Sequence, residues 1–263
     1  MESFLRGLFF PMTLSELRSR RSVRAYTSQP LEKSVVDAIK AEITMINTVE
    51  AGMRFQLILD DAAPFDGFRN SYGLLQNVRN YVACVIEPSY PDAYQRCGYC
   101  AQQLVTLAVS LGLGTCYVGG SYNAGLTSAQ LRAGEKIPFL IAIGYEDKGR
   151  ETLIAKVGKS LMHISKKRPA DILTSDVSIS EIQANRPLLY TGLEAMLCAP
   201  SSMNRQPVRV QYRQGEILAK VGSGSNSDLI DLGIALFNFQ AVYPGVWEWG
   251  NPALFIPDYN ESC

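Results

Sequence analysis

The feature of this 263-residue sequence that most constrains its fold is a weak similarity between its two halves. The segment M-R-F-Q-L at 53–57 is similar to V-R-V-Q-Y at 208–212, and Gly98 and Gly233 occupy matching places in two long helical patterns. A repeat of this length is a whole half rather than a solenoid period, and it predicts two similar halves about an approximate twofold axis. The alternative, that two α+β halves simply look alike at this level, stays open on the sequence alone.

The predicted halves are residues 12–173 and a shorter second half at 174–263, with 1–11 as an upstream extension. The cap-like T-L-S-E-L directly after Met12 is typical of the start of a domain's first helix. Arg209 follows Arg54 by 155 positions, whereas Gly233 follows Gly98 by 135. The second half is therefore expected to lack roughly 20 residues between its first strand and its long helix.

Hydrophobic periodicity predicts alternating helices and strands in the first half. Val35, Ile39 and Ile43 keep helical spacing, whereas 81–86 is apolar almost throughout, which is typical of a central strand covered on both faces. The predicted helices are 13–19, 31–46, 92–111 and 126–133, and the predicted strands are 53–59, 81–86 and 138–144.

Composition excludes several classes of protein. The net charge is 0 and the pI is near 6.6, so no global field favours nucleic acid or an acidic membrane as a partner. No apolar run reaches the roughly 18 residues of a membrane span, and residues 1–10 do not resemble a signal peptide. The six cysteines lie mostly in apolar runs, which predicts reduced core thiols and a cytoplasmic protein.

Two polar segments are candidates for ligand binding, and each occurs in one half only. R-R-S-V-R at 20–24 places three guanidinium groups and a serine hydroxyl before a helix, a pattern that suits an anion such as phosphate. A-P-S-S-M-N-R-Q-P at 199–207 is a turn between prolines, rich in hydrogen-bonding side chains. This asymmetry predicts one site per chain, although a solvated basic turn is the simpler interpretation of 20–24 taken alone.

Two further segments belong to the same hypothesis. C-Y-V-G-G at 116–120 ends in glycines whose backbone N–H groups can face a ligand, and K-K-R-P at 166–169 is a second basic cluster. C-G-Y-C at 97–100 is interpreted as structural because it lies inside a helix without a βαβ context. His163 is the only histidine, and neither a G-x-S-x-G elbow, nor clustered zinc ligands, nor a complete G-x-G-x-x-G is present.

Together, R-R-S-V-R, G-L-G-T-x-x-V-G-G, K-K-R-P and A-P-S-S-M-N-R-Q-P resemble the motifs of the nitroreductase family, flavoenzymes that bind FMN at a dimer interface. The resemblance covers almost the whole chain from Met12. However, A-P-S-S-M-N-R-Q-P stands in the second half, whereas in the usual family member the equivalent motif follows the first helix. It implies an α+β fold with a central, mostly antiparallel sheet flanked by helices. The displaced motif implies a single chain that mimics the family homodimer.

The resemblance also implies roles for individual residues. Arg20, Arg21 and Ser22 would surround the FMN phosphate with Lys166 and Arg168, and Arg24 would reach the N1 and O2 edge, where a cation stabilises reduced flavin. Many family members have an acidic residue where Gly119 stands, so the contact to N5 would come from backbone alone. Gly119 and Gly120 would offer backbone N–H groups to N5 and O4, and Val118 beside them is also assigned to the cofactor site. The ring and ribityl chain would be contacted by Pro200, Ser201, Ser202 and Asn204.

The function implied is an FMN-dependent oxidoreductase that passes hydride from NAD(P)H through FMN to a nitroaromatic or quinone-like acceptor. The cofactor supplies the chemistry, so we assign no catalytic residue and no metal. A monomer is expected, because both binding segments are on one chain. The alternative is a flavin-binding protein without turnover, since the shorter second half has lost residues that would belong to a substrate lid.

Overall fold

The computed structural model describes residues 12–66, 74–149 and 167–258. The chain forms two compact units. The N-terminal unit comprises Arg20–Ala93 and Gln103–His163, and the C-terminal unit comprises Met1–Ser19, Tyr94–Gln102 and Ile164–Cys263. The predicted boundary between halves at residues 173 and 174 stays a prediction.

Helices and strands alternate along the described residues. The helices are α1 Leu14–Ser19, α2 Lys33–Val49, α3 Ala93–Ser110, α4 Pro169–Ile172, α5 Ile179–Asn185, α6 Pro187–Cys198 and α7 Asn226–Val242. The strands are β1 Met53–Ile58, β2 Asn80–Ile86, β3 Gly114–Val118, β4 Leu140–Gly144, β5 Leu173–Ser175, β6 Arg209–Arg213, β7 Glu216–Lys220, β8 Gly245–Glu248 and β9 Ala253–Pro257. Short 3₁₀ turns lie at Ala124–Leu126 and Ser202–Asn204.

The N-terminal unit contains a four-stranded antiparallel sheet in the order β1-β2-β4-β3. Strand β2 lies inside this sheet and is buried from Tyr81 to Ile86, which confirms the prediction made from its apolar run. Phe65 packs edge-to-face on Tyr81 at a ring separation of 5.4 Å. This contact belongs to a core that also contains Val23 and Cys116, so the segment 20–26 is packed on the sheet.

The C-terminal unit contains a five-stranded sheet in the order β5-β6-β7-β9-β8, antiparallel except for the β5–β6 pair. Its last four strands repeat the order of the N-terminal sheet, and in both sheets a helix precedes the first strand and another lies between the second and third. Gln214 and Gly215 have φ of 50° and 88°, as a two-residue hairpin with right-handed strand twist requires. The corresponding connection in the N-terminal sheet, between β1 and β2 at 59–79, is much longer.

The first helix is capped as the sequence predicts. Thr13 donates its backbone N–H and hydroxyl to Glu16, and the Glu16 N–H donates back to the Thr13 hydroxyl oxygen.

The predicted helix at 126–133 is wrong, and the structure has extended chain after the 3₁₀ turn. Side chains from β1, from β2 and from the loop after β1 accept hydrogen bonds from the backbone of this segment. The Ser128 N–H donates to Asp61 and to the Tyr81 hydroxyl, and the Gln130 N–H donates to Gln56 at 2.9 Å. Backbone groups satisfied in this way have no need of intrahelical hydrogen bonds.

The described cysteines are unbridged. Four of them are buried (Cys84, Cys97, Cys100 and Cys116), and Cys198 is half-buried. The C-G-Y-C pair therefore lies in the core, as the structural interpretation predicted. In the part of the chain that the structure describes, no helix is long and apolar enough to cross a membrane.

Candidate functional site

The segment 20–26 is fixed on strand β3 by backbone pairing. Ser22 forms a parallel bridge with Thr115, and the Val23 N–H donates to the Thr115 carbonyl at 2.9 Å. A Cβ added to Gly114 would lie 2.7 Å from the Val23 side chain, so glycine is needed here for close packing. Because the bridge is parallel, the chain from Ser22 onwards runs in the direction in which β3 leads to Gly119.

Three of the predicted anion-binding residues influence the same side chain of this strand, that of Cys116. Burial raises the pKa of the Cys116 thiol, whereas Arg24, Arg20 and a hydrogen bond from Ser22 oppose that increase. Both guanidinium groups and the hydroxyl therefore lie within electrostatic or hydrogen-bonding range of the same sulfur atom. The Nε and Nη1 atoms of Arg20 are buried, so the guanidinium group is only partly hydrated.

Arg21 is placed differently from its neighbours. Its side chain is 54% exposed and forms an ion pair with Glu146, which follows strand β4. Since that carboxylate already neutralises part of the charge, Arg21 is a weaker candidate for anion binding than Arg20 or Arg24.

The glycine turn after β3 is open. Gly119 and Gly120 are exposed, and among the described residues no atom lies within 4 Å of a Cβ added at either position. Neither glycine has the left-handed φ that excludes a side chain. Internal packing therefore does not require glycine there, whereas close approach by a ligand would.

The loop that follows the glycine turn is fixed by a half-buried polar network. The Tyr81 hydroxyl donates to Asp61 at 2.6 Å and lies 2.8 Å from the Thr127 hydroxyl. Burial raises the pKa of Tyr81 to about 12, and Asp61 adds to that increase, so the phenol stays protonated at neutral pH. The loop is thus held by neutral hydrogen-bond donors around one carboxylate.

The serine turn at 199–207 lies in the C-terminal unit and has an unusual backbone. Met203, Asn204 and Gln206 have φ of 52°, 53° and 46°. This left-handed conformation costs about 1–2 kcal/mol for residues such as Met and Gln, whereas Asn adopts it more readily. Within the turn, the Asn204 N–H donates to the Ser201 carbonyl, and the Gln206 N–H donates to the Ser201 hydroxyl oxygen at 2.9 Å. Met203 is 73% exposed, so the tip of the turn faces solvent.

Charged residues that the sequence analysis did not assign hold this turn. Both oxygens of Asp231 lie 3.0 Å from the Ser202 N–H, and Arg205 donates to Asp228 at 2.7 Å. The Lys167 ammonium group donates to the Arg205 and Gln206 carbonyls at 3.0 and 2.8 Å. Burial raises the pKa of Asp231 to about 7, although the Ser202 N–H and Arg205 oppose that shift.

Of the two residues predicted from K-K-R-P, Lys166 lies outside the described residues. Arg168 is highly exposed, its Nε atom lies 3.6 Å from Asp171, and its backbone N–H donates to the same carboxylate at 2.7 Å. The structure thus gives Arg168 a local role at the start of α4. Among the described residues, no group of three His, Cys, Asp or Glu side chains is arranged to hold a metal ion.

Within the N-terminal unit, the residues present fit a phosphate-bearing cofactor. Two guanidinium groups and a hydroxyl converge on β3, and two exposed glycines follow three and four residues after Cys116 on that strand. Guanidinium groups in a partly dehydrated setting form charge-assisted hydrogen bonds to phosphate, and glycine leaves backbone N–H groups accessible.

The chain resembles known proteins in sequence and in fold. Residues 13–242 match the model of a family described as "Putative TM nitroreductase". A Thermotoga maritima MSB8 crystal structure described as a "putative nitroreductase" is 17% identical with a TM-score of 0.61 and covers 98% of this chain and 100% of that chain. At that identity the likeness shows a shared fold. No curated protein shows significant similarity to the sequence.

Two other solved structures match about half of the chain. The FMN-dependent nitroreductase of Clostridium difficile R20291 is 18% identical, covers 52% of this chain and 90% of that chain, and has a TM-score of 0.41. A Bacteroides fragilis NCTC 9343 nitroreductase with bound FMN is 19% identical, covers 52% of this chain and 89% of that chain, and has a TM-score of 0.40. These scores are too low to add to the fold assignment.

Proposed function

Because the chain belongs to the family described as "Putative TM nitroreductase", we propose that it is an FMN-dependent oxidoreductase. The observation that carries the proposal is the pairing of segment 20–24 with strand β3 through Ser22 and Thr115. This pairing places Arg20, Ser22 and Arg24 near Cys116, on the strand that leads into the open turn at Gly119 and Gly120. Along this strand, an anionic group could bind the arginine side chains, and a flat ring could lie against the exposed backbone of the glycine turn.

The roles of the arginines follow from charge. The phosphate of FMN carries close to two negative charges at neutral pH, and Arg20, with the Ser22 hydroxyl, supplies donors for it. Arg24 is two residues further along, toward the glycine turn, and would stabilise negative charge on the reduced ring. Arg21 keeps its ion pair with Glu146 and contributes mainly to the local positive potential.

The turn at 199–207 would supply the remaining contacts to the flavin, from Pro200, Ser201, Ser202 and Asn204. Its left-handed residues present backbone and side-chain groups in a fixed arrangement, which lowers the entropy lost on binding. When bound, FMN would accept hydride from NAD(P)H and pass electrons to a nitroaromatic or quinone-like acceptor. The protein contributes binding, orientation and electrostatics to this chemistry.

The visible spectrum of the purified protein tests the proposal. We expect a yellow protein, or one that becomes yellow after incubation with FMN and removal of free flavin. Riboflavin, which lacks the phosphate, should bind much more weakly, because the arginine cluster would have no anion to contact. A protein that stays colourless after incubation with FMN would contradict the proposal.

A flavin-binding protein without turnover is the second candidate, and the short hairpin at 214–215 favours it, because the longer connection at 59–79 has no counterpart there. Stopped-flow reduction with NADH and NADPH separates the two candidates. A reductase should lose its flavin absorbance within seconds at saturating nucleotide, whereas a protein that only binds flavin should stay oxidised for minutes.

A further inference from the structure

The turn at 199–207 is held by charged side chains that are not among the proposed cofactor contacts. We propose that Asp231 and Lys167 are positioning residues that keep this turn in the conformation that binds flavin, an inference that rests on the proposed function. Asp231 is 5% exposed and accepts the Ser202 N–H, and Lys167 donates to the carbonyls of Arg205 and Gln206. The two side chains thus hold both ends of the segment 202–206.

The turn needs such support because its conformation is unfavourable by itself. Met203, Asn204 and Gln206 all have left-handed φ, which non-glycine residues rarely adopt without external contacts. The hydrogen bonds of Asp231 with Ser202 and of Lys167 with Arg205 and Gln206 come from outside the turn and offset part of this cost.

The charge of Asp231 is coupled to the position of the turn. The Ser202 N–H and Arg205, which both belong to the turn, favour the ionised carboxylate, whereas burial and Asp228 favour the protonated form. By thermodynamic linkage, the contacts of Asp231 with the Ser202 N–H and with Arg205 are stronger when its carboxyl group is ionised.

The charged groups around these two residues define the expected pH response. Arg205 and Asp228 face Asp231, and Lys167 faces Arg209 and Asp171. Because the pKa of Asp231 is raised to about 7, the fraction of ionised carboxylate rises between pH 6 and pH 8. Flavin affinity should rise over the same interval.

The central experiment compares FMN dissociation constants of the wild type and Asp231→Asn between pH 6 and pH 8, measured by quenching of FMN fluorescence. At pH 8 the variant should bind FMN roughly tenfold more weakly, because a neutral amide replaces a charged acceptor. At pH 6 the difference should be smaller. The FMN phosphate titrates near pH 6, but that contribution is common to both proteins.

Asp176→Asn is the matched control. Asp176 also accepts one backbone N–H, from Gln214, but it lies on the segment before α5 and is exposed. The same change of charge at this position should leave both the FMN affinity and its pH dependence as in the wild type.

Lys167 gives an independent test that does not depend on the Asp231 variant. Lys167→Met keeps the length of the side chain but removes the donors, and it should weaken FMN binding roughly tenfold. Lys167→Arg can still donate to the two carbonyls and should restore most of the affinity. Circular dichroism of each variant shows whether the fold is retained.

The outcomes distinguish this inference from the proposed function. Wild-type protein without affinity for FMN overturns the proposed function, and this inference with it. Wild-type protein that binds FMN, with Asp231→Asn and Lys167→Met folded and equal to it at every pH, overturns the inference alone.

Discussion

Gly98 and Gly233 make reciprocal contacts where helices α3 and α7 cross. A Cβ built on Gly98 would lie 2.2 Å from the carbonyl oxygen of Ile230, and one built on Gly233 would lie 1.9 Å from that of Gln95. Gln95 and Ile230 are separated by the same 135 positions as the two glycines. Such reciprocity is what a twofold axis between equivalent helices produces, and it supports the proposal of a single chain that mimics a dimer.

The first prediction concerns these two glycines. Gly98→Ala and Gly233→Ala should each lower the free energy of unfolding by about 1–3 kcal/mol, because a methyl group would displace a helix backbone. This loss should exceed the gain of about 1 kcal/mol in helix propensity. Urea unfolding provides the measurement. Gly222→Ala is the control, since nothing lies within 4 Å of its added Cβ, and equal stability of all three variants would show that the helices do not cross there.

The second prediction is a pH dependence of stability caused by Asp231. Its pKa is raised from 3.8 to about 7. Between these two pH values, the Asp231 carboxyl group is therefore protonated in the folded protein and ionised in the unfolded chain. The free energy of unfolding should therefore fall as the pH rises from about 4 to about 7, by at most about 4 kcal/mol, and level off above pH 7. Asp231→Asn should lack this component. A constant difference between the two proteins across the range would contradict the shift.

The third prediction concerns the arginine cluster. Arg20→Ala and Arg24→Ala should weaken FMN binding roughly five- to 150-fold, as loss of a charge-assisted hydrogen bond implies. Arg21→Ala should have a smaller effect because its side chain is paired with Glu146. Isothermal titration at fixed salt provides the comparison, with exposed Arg213→Ala as the control for net charge. If Arg20→Ala and Arg168→Ala both left the affinity unchanged, segment 20–24 would be a solvated turn.

The fourth prediction distinguishes a role of Gly120 in ligand binding from a role in folding. Gly120→Ala should leave the thermal midpoint within about 2 °C of the wild type, because its added Cβ meets no described atom. FMN affinity should nevertheless fall, since the methyl group would occupy space proposed for the flavin. Loss of stability without loss of affinity would mean that the glycine serves the fold.

The sequence predicted elements whose pattern is set by burial. Val35, Ile39 and Ile43 are buried on one face of α2 as their spacing requires, and β2 is interior because its apolar run has no exposed face. The predicted helix at 126–133 was wrong because side chains distant in sequence bind its backbone. Local patterns do not contain that information.

The candidate site also contains residues that the sequence indicated and residues that it did not. The grouping of Arg20, Ser22 and Arg24 in one short segment can be read directly from the sequence, and their contacts with a cofactor stay a prediction. The support of the serine turn by Asp231 and Lys167 was missed, since 29 residues separate Asp231 from Ser202. A usable signal existed for Lys167 alone, which stands between the two basic residues that were chosen from K-K-R-P.

The ratio of bound flavin to protein tests whether one chain provides both walls of a single flavin site. The arginine segment at 20–24 and the serine turn at 199–207 each occur once in the chain. At the equivalent places of the other half, T-S-D-V-S at 174–178 and N-T-V-E-A-G at 47–52 provide carboxylates and no cation, so a second phosphate site is not expected. Flavin released by acid, quantified against protein and combined with mass from light scattering, gives the ratio and the oligomeric state together. We predict one FMN per 263-residue chain on a monomer. Two flavins per chain, or flavin bound only by a dimer, would contradict it.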